Sequence, residues 1–150
     1  MNIRIEKGDP RDPQTTALLE QSHALMVSLF PAESNHYLSI DALCATEIQF
    51  FVAKEDETIL GTAALADKKT YLELKSMFTD PNARGKGIAD KMMDHLLSYA
   101  RETGAESIML ETGDLLHAAH KLYRKHGFTD RGPFGDYKED PNSLFMEKTL

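Results

Sequence analysis

The sequence holds no tryptophan and a single cysteine, Cys44. One thiol excludes an internal disulfide and a cysteine-based zinc site. Cys44 lies in SIDALCATEI, where nothing pairs it with a base, and it reads as a buried or idle thiol. No apolar run approaches the length of a membrane span, and the opening MNIRIEKGDP lacks the apolar centre of a signal peptide. Both absences point to a cytoplasmic protein with no membrane partner. The six histidines show no H-E-x-x-H or similar spacing, so no metal is expected. A basic excess is missing too. The formal charge is −7, which argues against a nucleic-acid partner.

What remains is ordinary globular material. The chain has 150 residues, 41% hydrophobic and 27% charged, which suits one domain over residues 1–150 with a full core. Its cations are unevenly spread. Arg84, Lys86 and Lys91 cluster in one stretch, and Lys121, Arg124 and Lys125 in another. Local positive patches on an acidic protein suit a small anionic ligand.

Hydrophobic spacing gives the elements. Residues 2–7 alternate and predict a strand. After Pro13, apolar residues recur at helical spacing, with Asp12 placed to cap. SNHYLSIDALCA predicts a short helix. Three strands follow at Ile48–Glu55, Thr58–Asp67 and residues 70–79; their two-residue connectors predict antiparallel hairpins. A helix over about residues 85–103 precedes strand ESIMLET. Helix DLLHAAHKLYRKH precedes GFTDRG, and SLFMEKTL closes the chain. The order predicts an α/β (α+β) fold: a mixed, mostly antiparallel central sheet of about seven strands flanked by about four helices.

The segment MFTDPNARGKGIADKMMDHLL joins strand to helix through Gly85 and Gly87. The first amides of a helix lack internal acceptors and carry the positive end of the dipole, so an anion is stabilised there. Two glycines let several amides aim at one point, Arg84 and Lys86 add charge, and Ala89 is small. Diphosphate is the natural ligand; a plain connecting turn is the alternative. The stretch does not fit G-x-x-x-x-G-K-[ST] or G-x-G-x-x-G. Following hairpins, it is also not expected to open a parallel β-α-β unit.

Arg84-x-x-Gly87-x-Ala89 fits Q/R-x-x-G-x-G/A, and AAHKLYRKHGF fits A-x-x-L-Y-x-x-x-G-F through Ala119, Leu122, Tyr123, Gly127 and Phe128. With this element order, the chain resembles the GNAT N-acetyltransferases over nearly its whole length. PAESNHYL and YKEDPNSLFMEKTL are similar to a bacterial subgroup of small-molecule acetyltransferases, some labelled as acting on indole-acetate-like acids. The resemblance implies acetyl-coenzyme A as co-substrate and direct attack by a primary amine of a small molecule or amino acid. A non-catalytic acyl-coenzyme A sensor of the same fold is the alternative. Dimers are frequent among similar proteins.

The resemblance also assigns residues. Arg84, Gly85, Lys86, Gly87, Ile88 and Ala89 would hold the diphosphate, and the backbone of Met77 and Phe78 the pantetheine arm and thioester carbonyl. Tyr123 matches the tyrosine that protonates the departing thiolate, although a tyrosine packed in a helix face reads the same way. Glu73, two residues before Lys75 on one strand face, is either a base or that lysine's partner; Glu111 is a second base candidate. Glu33, His36 and Tyr37, with Phe134, Tyr137 and Asp140, would shape the acceptor mouth, where carboxylates beside aromatic rings would suit a small cationic amine and Lys75 or Arg131 would instead suit an amino acid's carboxylate; plain turn composition is the alternative for both stretches. The family often carries asparagine where Leu116 stands, so cofactor binding would lean on other contacts, with Asp114 and His117 nearby.

Overall fold

The computed structural model describes residues 2–150. Its strands are β1 (Ile3–Lys7), β2 (Ile48–Glu55), β3 (Thr58–Asp67), β4 (Tyr71–Thr79), β5 (Ser107–Gly113), β6 (Thr129–Arg131) and β7 (Ser143–Thr149). The helices are α1 (Pro13–Leu29), α2 (Ile40–Leu43), α3 (Ile88–Thr103) and α4 (His117–Lys125). All seven strands form one sheet in the order β1-β2-β3-β4-β5-β7-β6. Four neighbouring strand pairs are antiparallel on either side of the β4–β5 join, with β6 on β7 beyond them.

The expected hairpins form. β2 pairs β3 across a turn with Asp56 at φ 53°, and β3 pairs β4 across one with Lys69 at φ 77°. Alternation divides β2 and β3 between two cores. Phe51, Ala53 and Leu65 pack toward α3 and α4, while Phe50, Val52 and Ala64 pack toward α1 and α2. Each strand is therefore covered on both faces, which explains their near-continuous apolar character. α1 starts where Asp12 accepts from the amides of Gln14 and Thr15 at 3.0 and 3.4 Å. It buries Leu18 and Leu19.

Two readings need correction. The glycine loop does open a parallel β-α-β unit, because β4 and β5 pair parallel through Tyr71–Ser107 to Leu74–Leu110. A sixteen-residue helix between adjacent strands returns the chain to its starting end, so the strands must run alike. The helix itself begins at Ile88, not at residue 85. Gly85 and Gly87 take φ of 82° and 75°, outside helical angles. The single short helix expected around residues 34–45 is instead a 3-10 turn at Ala32–Ser34 and the four-residue α2, which Ser39 caps.

Candidate active site

The parallel pairing of β4 and β5 stops at Leu74 and Leu110, although β4 runs on to Thr79 and β5 to Gly113. The two strands part here. A bulge drives the parting: Thr62 faces Phe78 and Ala64 faces Lys75, so Ser76 and Met77 together oppose one residue of β3. Ser76 sits at φ 55°, a left-handed angle that costs a non-glycine residue about 1–2 kcal/mol. The Thr62 hydroxyl holds it there, donating to the Ser76 carbonyl at 2.8 Å. The bulge leaves Met77 without a partner in β3, and the Ser76 hydroxyl is buried with no hydrogen-bond partner among the described residues.

A small chamber of about 110 Å³ opens in the gap. Ser76 and Met77 form one wall and Glu111 with Gly113 the opposite one; Tyr123 enters from α4. The Phe30 ring packs so close to Gly113 that any side chain there would overlap it, which seats the end of α1 against the gap. Tyr123 is 6% exposed and tilts against Phe128 at 5.9 Å. Burial, and then the nearby Glu111 carboxylate, push its phenol well above the usual range. Burial also raises the Glu111 carboxyl above its ordinary value. A 2.8 Å hydrogen bond from Ser143 and the charges of His36 and Lys75 oppose that rise.

A larger cavity of about 780 Å³ lies beside this chamber and shares His36, Tyr37 and Lys75 with it. The structure places all six mouth residues, Glu33, His36, Tyr37, Phe134, Tyr137 and Asp140, around this space. Three segments meet at the shared neck. Lys75 donates to the His36 carbonyl at 2.9 Å and to the Tyr137 hydroxyl at 3.0 Å, and it lies 3.6 Å from Glu73. Tyr137 in turn donates to Glu73 at 2.5 Å. Burial and this carboxylate hold the Tyr137 phenol far above the usual range. Glu73 is thus paired with Lys75 and Tyr137 and lines the larger cavity, while Glu111 lines the chamber beside Tyr123.

The glycine loop stands at the other end of the gap. Nothing lies within 4 Å of where a side chain at Gly85 or Gly87 would project, so the start of α3 faces open space. No side chain caps that start, and the first intrahelical bond returns from Lys91 to Gly87. The amides ahead of Lys91 are thus available to an anion. Ile88 turns inward, 2% exposed, and anchors the helix start to the core. Lys86 lies 3.8 Å from Glu55.

Some of the second cationic cluster is committed elsewhere. Arg124 bonds Asp130, and Lys125 with His126 holds Asp90 of α3 at 3.0 and 2.8 Å, which depresses that carboxyl. Arg131 bonds Glu147 at 3.0 Å. At α4 the Leu116 position provides no side-chain cap. Asp114 keeps one carboxylate oxygen buried and unpartnered.

The reading by spacing missed Ser34, whose hydroxyl donates to Asp140 at 2.6 Å and ties the two mouth segments across 106 residues. It also missed Ser143, the partner of Glu111. Neither has a local signal. Among the described residues no cluster of three or more His, Cys, Asp or Glu is arranged to hold a metal, and no helix is long and apolar enough to cross a membrane.

Known proteins resemble this chain in sequence and fold. The acetyltransferase (GNAT) family model matches residues 16–128. An IAA acetyltransferase of Azospirillum brasilense is 40% identical over 151 residues, which is 99% of this chain and 99% of its own. A structure from Klebsiella pneumoniae ascribed to the acyl-CoA N-acyltransferases superposes with a TM-score of 0.82 at 27% identity, covering 99% of this chain and 97% of that one. The PaiA N-acetyltransferase of Thermoplasma acidophilum, solved in complex with coenzyme A, superposes with a TM-score of 0.78 at 18% identity over 100% of both chains, a likeness of fold.

Proposed function

The chain belongs to the acetyltransferase (GNAT) family, and on that premise we propose that the gap between β4 and β5 is where it transfers acetyl from acetyl-coenzyme A to a primary amine of a small molecule. The observation that carries this reading is the parting of the two strands after Leu74 and Leu110. It gathers an unpaired Met77 backbone, Glu111 and Tyr123 around one chamber.

The residues fit the co-substrate. The amides at the start of α3, with Gly85, Gly87 and Ala89, would take the diphosphate, helped by Arg84 and Lys86. The orphaned Ser76 hydroxyl and the bulged backbone of Met77 and Phe78 would meet the polar groups of the pantetheine arm. Asp114 offers a further buried acceptor beyond the chamber. When bound, acetyl-coenzyme A supplies an activated acetyl group as a thioester.

The chain's own groups then divide the proton work. Glu111 accepts the proton that the incoming ammonium must lose before its nitrogen can bond the acetyl carbon; burial raises its carboxyl above the ordinary value, which makes its carboxylate the stronger base. The Met77 amide stabilises negative charge on the carbonyl oxygen. As the carbon–sulfur bond breaks, the Tyr123 hydroxyl gives its proton to the sulfur. Passing the proton held by Glu111 to the Tyr123 phenolate restores both groups, and the second nitrogen proton, lost as the acylated nitrogen becomes a neutral amide, leaves to solvent. Glu33, His36 and Tyr137 lie around the cavity from which the amine would enter.

The test is thiol release. Purified protein with acetyl-coenzyme A and an amine panel should liberate free thiol in step with acetylated product. Thermal stabilisation by acetyl-coenzyme A with no turnover on any amine would contradict the assigned chemistry.

A further inference from the structure

The larger cavity says something about the charge of the amine that enters it, if the reading above holds that acceptors pass through this cavity to Glu111. Five carboxylates other than Glu73 line it: Glu33, Glu47, Asp136, Glu139 and Asp140. Only two ammonium groups other than Lys75 do so, Lys68 and Lys138. Among the described residues none of the five carboxylates is in an ion pair, and they outnumber the ammonium groups around the cavity. Asp140 is held by Ser34 and the Asn142 amide, and its pKa is lowered by those bonds.

The lysine that lines both cavities, Lys75, is already paired. Lys75 donates to the His36 carbonyl and the Tyr137 hydroxyl, and its charge lies 3.6 Å from the Glu73 carboxylate. A substrate carboxylate arriving there would have to break that set and would face the surrounding acids. Arg131, the other cation that would suit a carboxylate, is tied to Glu147 and to the Gly132 carbonyl.

The remaining wall is aromatic. Tyr71 meets Phe134 edge-on at 5.8 Å, Phe134 meets Tyr137 at 5.0 Å, and Tyr137 meets His36 at 5.1 Å. Ring faces attract cations, and this wall already seats two: Lys75 lies 5.7 Å from the Tyr137 ring centre and Arg131 lies 5.7 Å from that of Phe134. The two cavities share His36, Tyr37 and Lys75, and four of the five carboxylates are exposed, so an acceptor that reaches Glu111 past the shared residues keeps its far end among the acids.

We propose that the acceptor is an aliphatic amine bearing a second positive charge, a linear diamine or polyamine, whose distal ammonium is held by the carboxylates around the larger cavity while its near amine passes the Lys75 neck. This rests on the acetyl-transfer reading and narrows its substrate class.

The experiment compares three amines of one chain length: 1,5-diaminopentane, pentylamine and 5-aminopentanoate, which end in an ammonium, a methyl and a carboxylate. The diamine should exceed pentylamine in kcat/KM by about tenfold, and 5-aminopentanoate should fall below both. High salt should shrink the first ratio, as should the double substitution Asp136→Asn with Glu139→Gln. Both of those residues are exposed, so the fold should tolerate the change. A preference for 5-aminopentanoate, or a diamine-to-pentylamine ratio that the double substitution leaves unchanged, would overturn the inference. So would no turnover of any of the three. In that case acetyl-coenzyme A binding decides what else falls: if it still raises the melting temperature, only the acceptor class is wrong, and if it does not, the acetyl-transfer site is misplaced as well.

Discussion

The hydroxyl of Tyr137 donates a 2.5 Å hydrogen bond to Glu73, a carboxylate only 5% exposed. These residues lie 64 apart in sequence, and the bond fastens the loop that closes the larger cavity onto β4. Tyr137→Phe should therefore leave a buried carboxylate short of a donor. The expected loss is about 1–3 kcal/mol of stability, read as a lower melting temperature. KM for the amine should rise while KM for acetyl-coenzyme A stays put.

Tyr123 presents a different expectation, since its hydroxyl works at the sulfur. Tyr123→Phe keeps the ring against Phe128 and removes only the proton. Turnover should fall about a hundredfold with acetyl-coenzyme A affinity nearly unchanged, as measured by single-turnover kinetics and calorimetric titration. A full-rate variant would remove the acid role.

Glu111 links activity and stability to pH. Burial raises its carboxyl in the folded state above the ordinary 4.5. The folded protein therefore binds this proton more tightly than the unfolded chain does. The stabilisation from that proton is fully present below 4.5 and is lost as pH rises through the folded value. Activity should move the opposite way, rising as Glu111 ionises. Glu111→Gln should abolish the rising limb of the kcat/KM profile and make the protein relatively more stable than the parent at neutral pH, checked by denaturant unfolding at pH 5 and pH 8.

Gly87 marks the helix start at φ 75°, with open space ahead of it. Gly87→Val places a branched side chain in that space and in a backbone region it resists by about 1–2 kcal/mol. Acetyl-coenzyme A affinity should fall by about a hundredfold or more, measured by titration, with circular dichroism showing the fold retained. Unchanged affinity would show that the amides of this turn do not hold the ligand.

Much of this was legible in the sequence because it depends on short-range patterns. Alternation and two-residue connectors gave the β2-β3-β4 hairpins. Glycines beside Arg84 and Lys86 gave the loop, and the segment from Ala119 to Phe128 gave Tyr123. The gap itself was not legible. It exists because Ser76 adopts a positive φ held by the Thr62 hydroxyl, and serine within SMFT carries no signal for that. The parallel join of β4 to β5 was misread because hairpins before the loop say nothing about the strand after it. The pairing of Glu73 with Lys75 follows from their spacing on one strand face, but its bond to Tyr137, 64 positions on, has no local signal. Lys125 reads as one of a cationic cluster on a charged helix face, and the sequence gives no sign that its partner is Asp90, 35 positions earlier and on another helix.

The most direct measurement is a crystal structure with coenzyme A bound. The diphosphate should rest on the amides that begin α3, and the thiol should lie in the chamber between Met77 and Glu111, within hydrogen-bonding reach of the Tyr123 hydroxyl. A thiol found outside the gap between β4 and β5, with Tyr123 facing protein alone, would contradict the account.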